Sequence, residues 1–107
     1  MSATDQLNRS ITLINVFTII PEKHNTAADK TAHIYKTFVC HQPGFISATI
    51  QKSLDGAKVA AVAQCESQAA LSTMQQNSDF HHLLKLLDGE IIGAEPHLYE
   101  TIASIGS

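Results

Sequence analysis

The segment FISATIQKSLDGAKVAAVAQCES, from Phe45 to Ser67, is the most informative part of the sequence because it predicts two strands and the start of a helix. Phe45–Leu54 is rich in β-branched and apolar residues, and the pair Asp55-Gly56 favours a two-residue hairpin turn. Lys58–Glu66 then predicts the second strand, and Ser67 is a residue type that caps helices. The centre of the chain is therefore a β-hairpin that leads into a helix.

A further strand and a long helix are predicted before this hairpin. Residues 10–20, SITLINVFTII, are β-branched and aromatic, and both alternating faces of the strand are mostly apolar. Pro21 and Glu22 suit the first turn of a helix, which we expect to run to about His41.

After the hairpin, the pattern predicts two helical segments and a last strand. The first helix runs from Ser67 to about Asn77, and Ser78 or Asp79 caps a second segment that ends at Leu87, before Gly89. The residues from His97 to about Ala103, which follow Pro96, are predicted to form the last strand.

The predicted order βαββαβ is that of an α+β, ferredoxin-like domain with one four-stranded antiparallel sheet and helices on one face. Residues 10–107 are expected to form this single domain, and residues 1–9 a flexible tail. Helices on one side leave the other, apolar face of the sheet bare. We therefore expect a homodimer in which the bare faces of two subunits pack together.

Composition excludes several classes of partner. The chain has 107 residues and a formal net charge of −3, and its seven Lys and Arg are scattered along it. This argues against binding to nucleic acid or to an anionic membrane. Hydrophobic residues make up 44% and charged residues 16%, which indicates an interface or a cavity.

Targeting and metal-binding patterns are not found in the sequence. The first ten residues lack the apolar core of a signal peptide, and no run approaches the roughly 18 apolar residues of a membrane span. We expect a cytoplasmic protein in which Cys40 and Cys65 are free thiols. No C-x-x-C motif is present, and no metal site is predicted.

Several motifs together resemble the antibiotic biosynthesis monooxygenase domain family. They are ITLINVFTIIPE, QPGFISATIQKSLDG and VAQCES, in this order and spacing, and the resemblance runs from about Ile11 to Tyr99. It implies dimeric α/β barrels built from ferredoxin-like subunits, with a pocket between sheet and helices in each subunit. Some members oxidise polycyclic phenols to quinones with molecular oxygen and without flavin, metal or haem. The resemblance thus implies an enzyme without a cofactor.

The resemblance also carries site residues onto this chain, where most are replaced. Relatives often have N-Y-A-Q-W where this chain has Ala61-Val62-Ala63-Gln64-Cys65, so the pocket Asn and Trp fall at Ala61 and Cys65. Their Tyr falls at Leu71 and their Arg near Lys85. We expect these positions to line a ligand pocket that has lost the usual polar groups.

Other candidate residues come from the pattern of this chain. Asn15 is a polar residue amid apolar neighbours, on the same face of its strand as Phe17, and it is our candidate for stabilising an anion. A histidine titrates near neutral pH and is suited to proton transfer, and His81 is our candidate, with His41 and His82 as alternatives.

Tyr35 and Phe38 lie on the apolar stripe of the long helix. Both are predicted to belong to the core and to contribute to the wall of the pocket.

Three functions follow from these observations. The first is a cofactor-independent monooxygenase that acts on a small aromatic or polyketide-like compound. The second is a dimeric module that binds a small hydrophobic or aromatic ligand without chemistry. The third is haem binding or degradation, known in a related branch, which the complete lack of Trp disfavours.

Overall fold

The computed structural model describes residues 10–106, which form one four-stranded antiparallel sheet with its helices on one face. The order of the strands across the sheet is β2-β3-β1-β4. The predicted ferredoxin-like βαββαβ arrangement is confirmed, and the predicted tail at residues 1–9 lies outside the described residues. The elements are β1 (Ile11–Ile19), α1 (His24–Thr37), β2 (Phe45–Lys52), β3 (Lys58–Cys65), α2 (Gln68–Gln75), α3 (Ser78–Leu84) and β4 (Ile91–Glu100).

Strand β1 lies in the middle of the sheet, and alternate side chains of this strand point toward the helices. Leu13, Phe17 and Ile19 are buried there, with α1 residues such as Ile34 packed in the same core. This is the period-2 pattern of a strand whose one face is covered by helices. Asn15 shares that face, and its backbone is paired with Ala61 of β3 on one side and Pro96 of β4 on the other.

The helices begin and end near the predicted residues, with two differences. Ser67 caps α2 as predicted, because its Oγ accepts a hydrogen bond from the N–H of Ala70 at 3.1 Å. The cap of α3 is Asn77 rather than Ser78 or Asp79, since the Oδ1 of Asn77 accepts from the N–H of Asp79 at 2.8 Å. The long helix leaves helical geometry at Phe38, and 3₁₀ turns precede and follow it.

The hairpin between β2 and β3 has a longer loop than the two residues that we predicted. A type I′ turn needs positive φ at both central residues, but only Gly56 has it here, at 77°. The strands instead separate after Ser53, whose N–H donates to the carbonyl of Lys58 at 2.9 Å. Ser53 Oγ also accepts from the N–H of Lys58 and donates to Asp55, so side chains hold this wider loop closed.

The prediction that β4 begins after Pro96 is wrong, since the strand runs from Ile91 to Glu100 and contains this proline. The sequence pattern treats proline as a strand breaker, but β4 lies at the edge of the sheet. An edge strand tolerates proline because half of its N–H groups face away from the neighbouring strand.

The sheet face opposite the helices has no covering element among residues 10–106. Its centre consists of Ile14 and Val16 of β1, opposite Val62 and Ala60 of β3, and all four side chains are half-buried. Beyond them lie polar and aromatic side chains, including Tyr99, which is 47% exposed. The two sides of the sheet therefore differ, with a closed core on one and an open apolar strip on the other.

No helix in residues 10–106 is long and apolar enough to cross a membrane. Both cysteines are free thiols as predicted; Cys40 is half-buried and Cys65 is buried.

Candidate active site

A cavity of about 340 Å³ lies between the helices and the half of the sheet made by β1 and β4. Most of its wall is apolar, with Phe17, Ile34, Phe80 and Leu87 among the lining side chains. The polar residues of the wall are Asn15, Thr31, Tyr35, Gln75 and His81. An apolar space with a few polar groups is the usual form of a small-molecule site.

Asn15 places an unpaired amide in this cavity. Its Oδ1 is buried and has no hydrogen-bond partner among the described residues. An unsatisfied buried acceptor costs roughly 1–3 kcal/mol, so nearly all such groups in folded proteins are paired. The amide is therefore suited to pair with a bound molecule, since Nδ2 can donate to an oxygen and Oδ1 can accept from a hydroxyl.

His81 lies at the exposed mouth of the same cavity, on α3. Its Nε2 is 2.6 Å from the main-chain carbonyl oxygen of Gln75, the last residue of α2. Because a carbonyl oxygen only accepts, Nε2 carries the hydrogen and Nδ1 of the neutral ring has the free lone pair. This contact selects the tautomer of a base, and it links α2 to α3 beside the cavity.

Tyr35 of α1 is a neutral hydrogen-bond donor in the wall. Burial raises the pKa of its phenol to about 12, and the nearby Cys65 thiol adds a smaller effect of the same sign. The side chain thus keeps its proton over the whole physiological range.

A second space, which we call the outer groove, lies on the other side of Tyr35. It has a volume of about 470 Å³ and lies between α1 and β2, with Lys36, Cys40, Phe45 and Ile50 in its wall. Tyr35 lines both spaces.

The structure brings four of the predicted site residues to the cavity: Asn15, Phe17, Tyr35 and His81. Phe38 lies one layer behind, with its ring stacked on that of Phe80 at a centroid distance of 5.9 Å and an interplanar angle of 22°. His41 and His82, the alternatives to His81, do not line the cavity.

The positions taken from the resemblance do not line the cavity. Ala61, Cys65 and Leu71 are core residues with exposures of 0%, 6% and 2%, and Lys85 lies on an exposed 3₁₀ turn after α3. Burial also raises the pKa of the Cys65 thiol, which is the behaviour of a packed rather than a reactive cysteine. A ligand-binding role for these four residues stays a prediction.

Several wall residues were missed by the sequence analysis, although the spacing of one helical turn could have found Thr31, Phe80 and Leu84. Thr31 and Tyr35 are one helical turn apart on α1, as are Phe80 and Leu84 on α3, so each pair shares one face of its helix. Pro96 was missed because the last strand was predicted to begin after it.

No group of three His, Cys, Asp or Glu side chains that could hold a metal ion occurs within residues 10–106.

Known proteins resemble this chain in sequence and in fold. No family model matches the chain. Tetracenomycin-F1 monooxygenase of Streptomyces glaucescens is 40% identical over 63 residues, which are 59% of this chain and 56% of that protein. The chain thus matches little more than half the length of this curated relative.

Solved structures extend the similarity over the whole fold. The monooxygenase from the gene ActVA-Orf6 of Streptomyces coelicolor, in complex with Nanaomycin D, superposes with a TM-score of 0.82 and 19% identity over 99% of both chains. The resemblance to the antibiotic biosynthesis monooxygenase family is confirmed. SnoaB, a cofactor-independent oxygenase from Streptomyces nogalater, superposes with a TM-score of 0.73 and 19% identity. The superposition covers 92% of this chain and 99% of the SnoaB chain. The fold of this chain is that of the antibiotic biosynthesis monooxygenases.

Proposed function

We propose that this chain is a cofactor-independent monooxygenase that oxidises a small aromatic or polyketide-like compound with molecular oxygen. The observation that carries the proposal is the unpaired amide of Asn15, buried in the wall of an apolar cavity. The sequence match to Tetracenomycin-F1 monooxygenase and the fold shared with SnoaB support the same class of reaction.

The proposed substrate is a fused-ring phenol or its keto form, with an oxidisable CH₂ carbon in conjugation with the oxygen. Nδ1 of His81 accepts a proton from it, and the amide N–H of Asn15 donates a hydrogen bond to the resulting anion. The apolar wall keeps water from competing for that hydrogen bond.

The electron balance of this reaction needs no further redox partner. The electron-rich anion reacts with O₂, one oxygen atom stays on carbon as a carbonyl group, and the other leaves as water. The CH₂ carbon loses the four electrons that reduce O₂. The substrate itself therefore takes the part that a flavin or metal has in other oxygenases.

The first test is oxygen uptake by the purified protein with a panel of anthrones, compared with a blank without protein because anthrones autoxidise. We expect uptake above the blank and, with heavy-isotope O₂, one labelled oxygen atom in the product. Asn15→Ala should lower the rate at least tenfold, since the loss of one anion-stabilising donor typically costs a factor of roughly 100–1,000. Asn25→Ala, a surface control on α1, should leave the rate unchanged.

Uptake that equals the blank for every substrate would argue against this proposal. Retention of an unmodified hydrophobic ligand through purification would then favour the small-ligand-binding module.

His81 and His82 provide a matched pair for the proton-transfer step. Their side chains diverge by roughly 100° on the helix, and only His81 lines the cavity. His81→Ala is expected to lower the rate at least tenfold, whereas His82→Ala is not. Equal effects of the two substitutions would remove His81 from the mechanism.

We also propose that the chain forms a homodimer through the sheet face that the helices leave open. Ile14, Val16, Ala60 and Val62 form the apolar centre of that face, and burial against a second copy would remove them from water. Light scattering should give twice the mass of the chain. Val62→Lys should give the monomer mass, and Leu54→Lys, in the exposed hairpin loop, should not.

A further inference from the structure

Tyr35 lines both the cavity and the outer groove, which lie on the two sides of strand β3. On the helix-covered face of the sheet, Asn15 of β1, Ala61 of β3 and Ile50 of β2 lie side by side in register. Asn15 lines the cavity and Ile50 lines the outer groove, but Ala61 lines neither. The boundary between the two spaces thus runs along β3.

The next rows of the sheet repeat this arrangement. Ala63 lies between Leu13, which lines the cavity, and Ala48, which lines the outer groove. Cys65 is paired with Phe45, another residue of the groove wall. The helix-facing side chains in this part of β3 are therefore two methyl groups and a thiol, too short to form a wall by themselves.

These small side chains are nevertheless sealed from solvent. Ala61, Ala63 and Cys65 are 0%, 2% and 6% exposed, so larger side chains must cover them. Tyr35 of α1 is the residue common to the linings of both spaces, and its phenol is close enough to the Cys65 thiol for the two to interact electrostatically. Its ring therefore lies over the strip of small residues.

We propose that Tyr35 is the partition between the cavity and the outer groove, and that it sets the longest fused-ring system that the site accepts. The inference rests on the proposed function, because it takes the cavity as the site of the substrate. With the partition in place, the 340 Å³ cavity is near the small end of the range for ligand sites of about 300–1,000 Å³. Without it, the 470 Å³ groove would extend the same space.

The test measures binding without turnover, so that it does not depend on the proposed chemistry. Naphthol, phenanthrol and hydroxychrysene are fluorescent phenols with two, three and four fused rings, and none has a CH₂ group to oxidise. The wild type is expected to bind hydroxychrysene at least tenfold more weakly than naphthol. Tyr35→Leu, which keeps the apolar stripe of the helix, should improve hydroxychrysene binding at least tenfold and change naphthol binding less than threefold.

Tyr35→Phe is the matched control, because it keeps the ring and removes only the hydroxyl. It should retain the wild-type preference for short ring systems. A folded Tyr35→Leu protein with the wild-type preference, or a wild type that binds all three phenols equally, would overturn the inference.

A crystal structure of Tyr35→Leu without ligand is a second test of the partition. One continuous space is expected, and two separate spaces would refute the partition even if none of the phenols binds. Oxygen uptake is measured separately, so loss of the proposed enzymatic function and loss of the partition give different results.

Discussion

The two central strands of the sheet, β1 and β3, face the same helices, but only β1 contributes side chains to the wall of the cavity. Strand β1 brings Asn15 to the cavity with its amide unpaired. Strand β3 presents Ala61, Ala63 and Cys65, which are sealed beneath other side chains. The resemblance places the pocket Asn and Trp of the relatives on the strand that corresponds to β3. In this chain the unpaired polar group that faces the cavity lies on β1, whereas the corresponding positions of β3 belong to the packed core.

Cys65→Trp, which restores the residue of the relatives, tests most directly whether β3 is packed core. The buried site has no room for an indole, and overpacking a core usually costs about 1–3 kcal/mol and occasionally more. We expect a loss of about 3 kcal/mol in the free energy of unfolding, measured by urea denaturation at a fixed protein concentration.

Cys40→Trp is the control for this substitution, because Cys40 lines the roomy outer groove. It should change the free energy of unfolding by less than about 1 kcal/mol. The double variant Tyr35→Ala/Cys65→Trp should recover part of the lost stability, since the indole can then occupy the place of the phenol. A Cys65→Trp protein as stable as the wild type would show that β3 is not packed as described.

The pH dependence of stability tests the burial of Tyr35, which covers β3. Its pKa is about 12 in the folded chain against the ordinary 10.0, so above pH 10 the unfolded chain releases this proton while the folded chain retains it. The free energy of unfolding should therefore fall as the pH rises from 10 to 12, by about 2 kcal/mol from this group. Below pH 10 the group contributes no pH dependence.

Urea denaturation of the wild type and of Tyr35→Phe across this window isolates the effect. The difference between their free energies of unfolding should change by about that amount between pH 10 and 12. Parallel curves would mean that the phenol is not buried over β3.

Asn15→Leu has the smallest expected effect on the free energy of unfolding, and whether it stabilises or destabilises the fold is informative. The substitution removes an unpaired buried amide and adds apolar surface to the cavity, so it should stabilise the fold by about 1 kcal/mol. The same change should abolish turnover if Asn15 stabilises an anion. Thr31→Val provides a comparison, because the Thr31 hydroxyl already donates to the Ala27 carbonyl at 2.8 Å and its loss should not stabilise the chain. Destabilisation by Asn15→Leu would indicate that the amide is satisfied.

Local patterns in the sequence were sufficient for most of the fold and for part of the site. Alternation with period two identified β1 and its inward-facing Asn15, and the type of residue at Ser67 identified a helix cap. Such features depend on neighbours within a few residues, so the sequence alone determines them. The same reasoning failed at Pro96, because tolerance for proline depends on whether a strand lies at the edge of a sheet.

What occupies the space above the small residues of β3 was decided only by the tertiary structure. The sequence shows that Ala61 and Cys65 are small, but a ligand, a partner chain or a side chain of this chain are equally compatible with their size. The crossing of α1 over the sheet brings Tyr35, 26 positions before Ala61, to the boundary between the cavity and the outer groove. Contacts between residues so distant in the chain follow from the packing of whole elements, which no local pattern encodes.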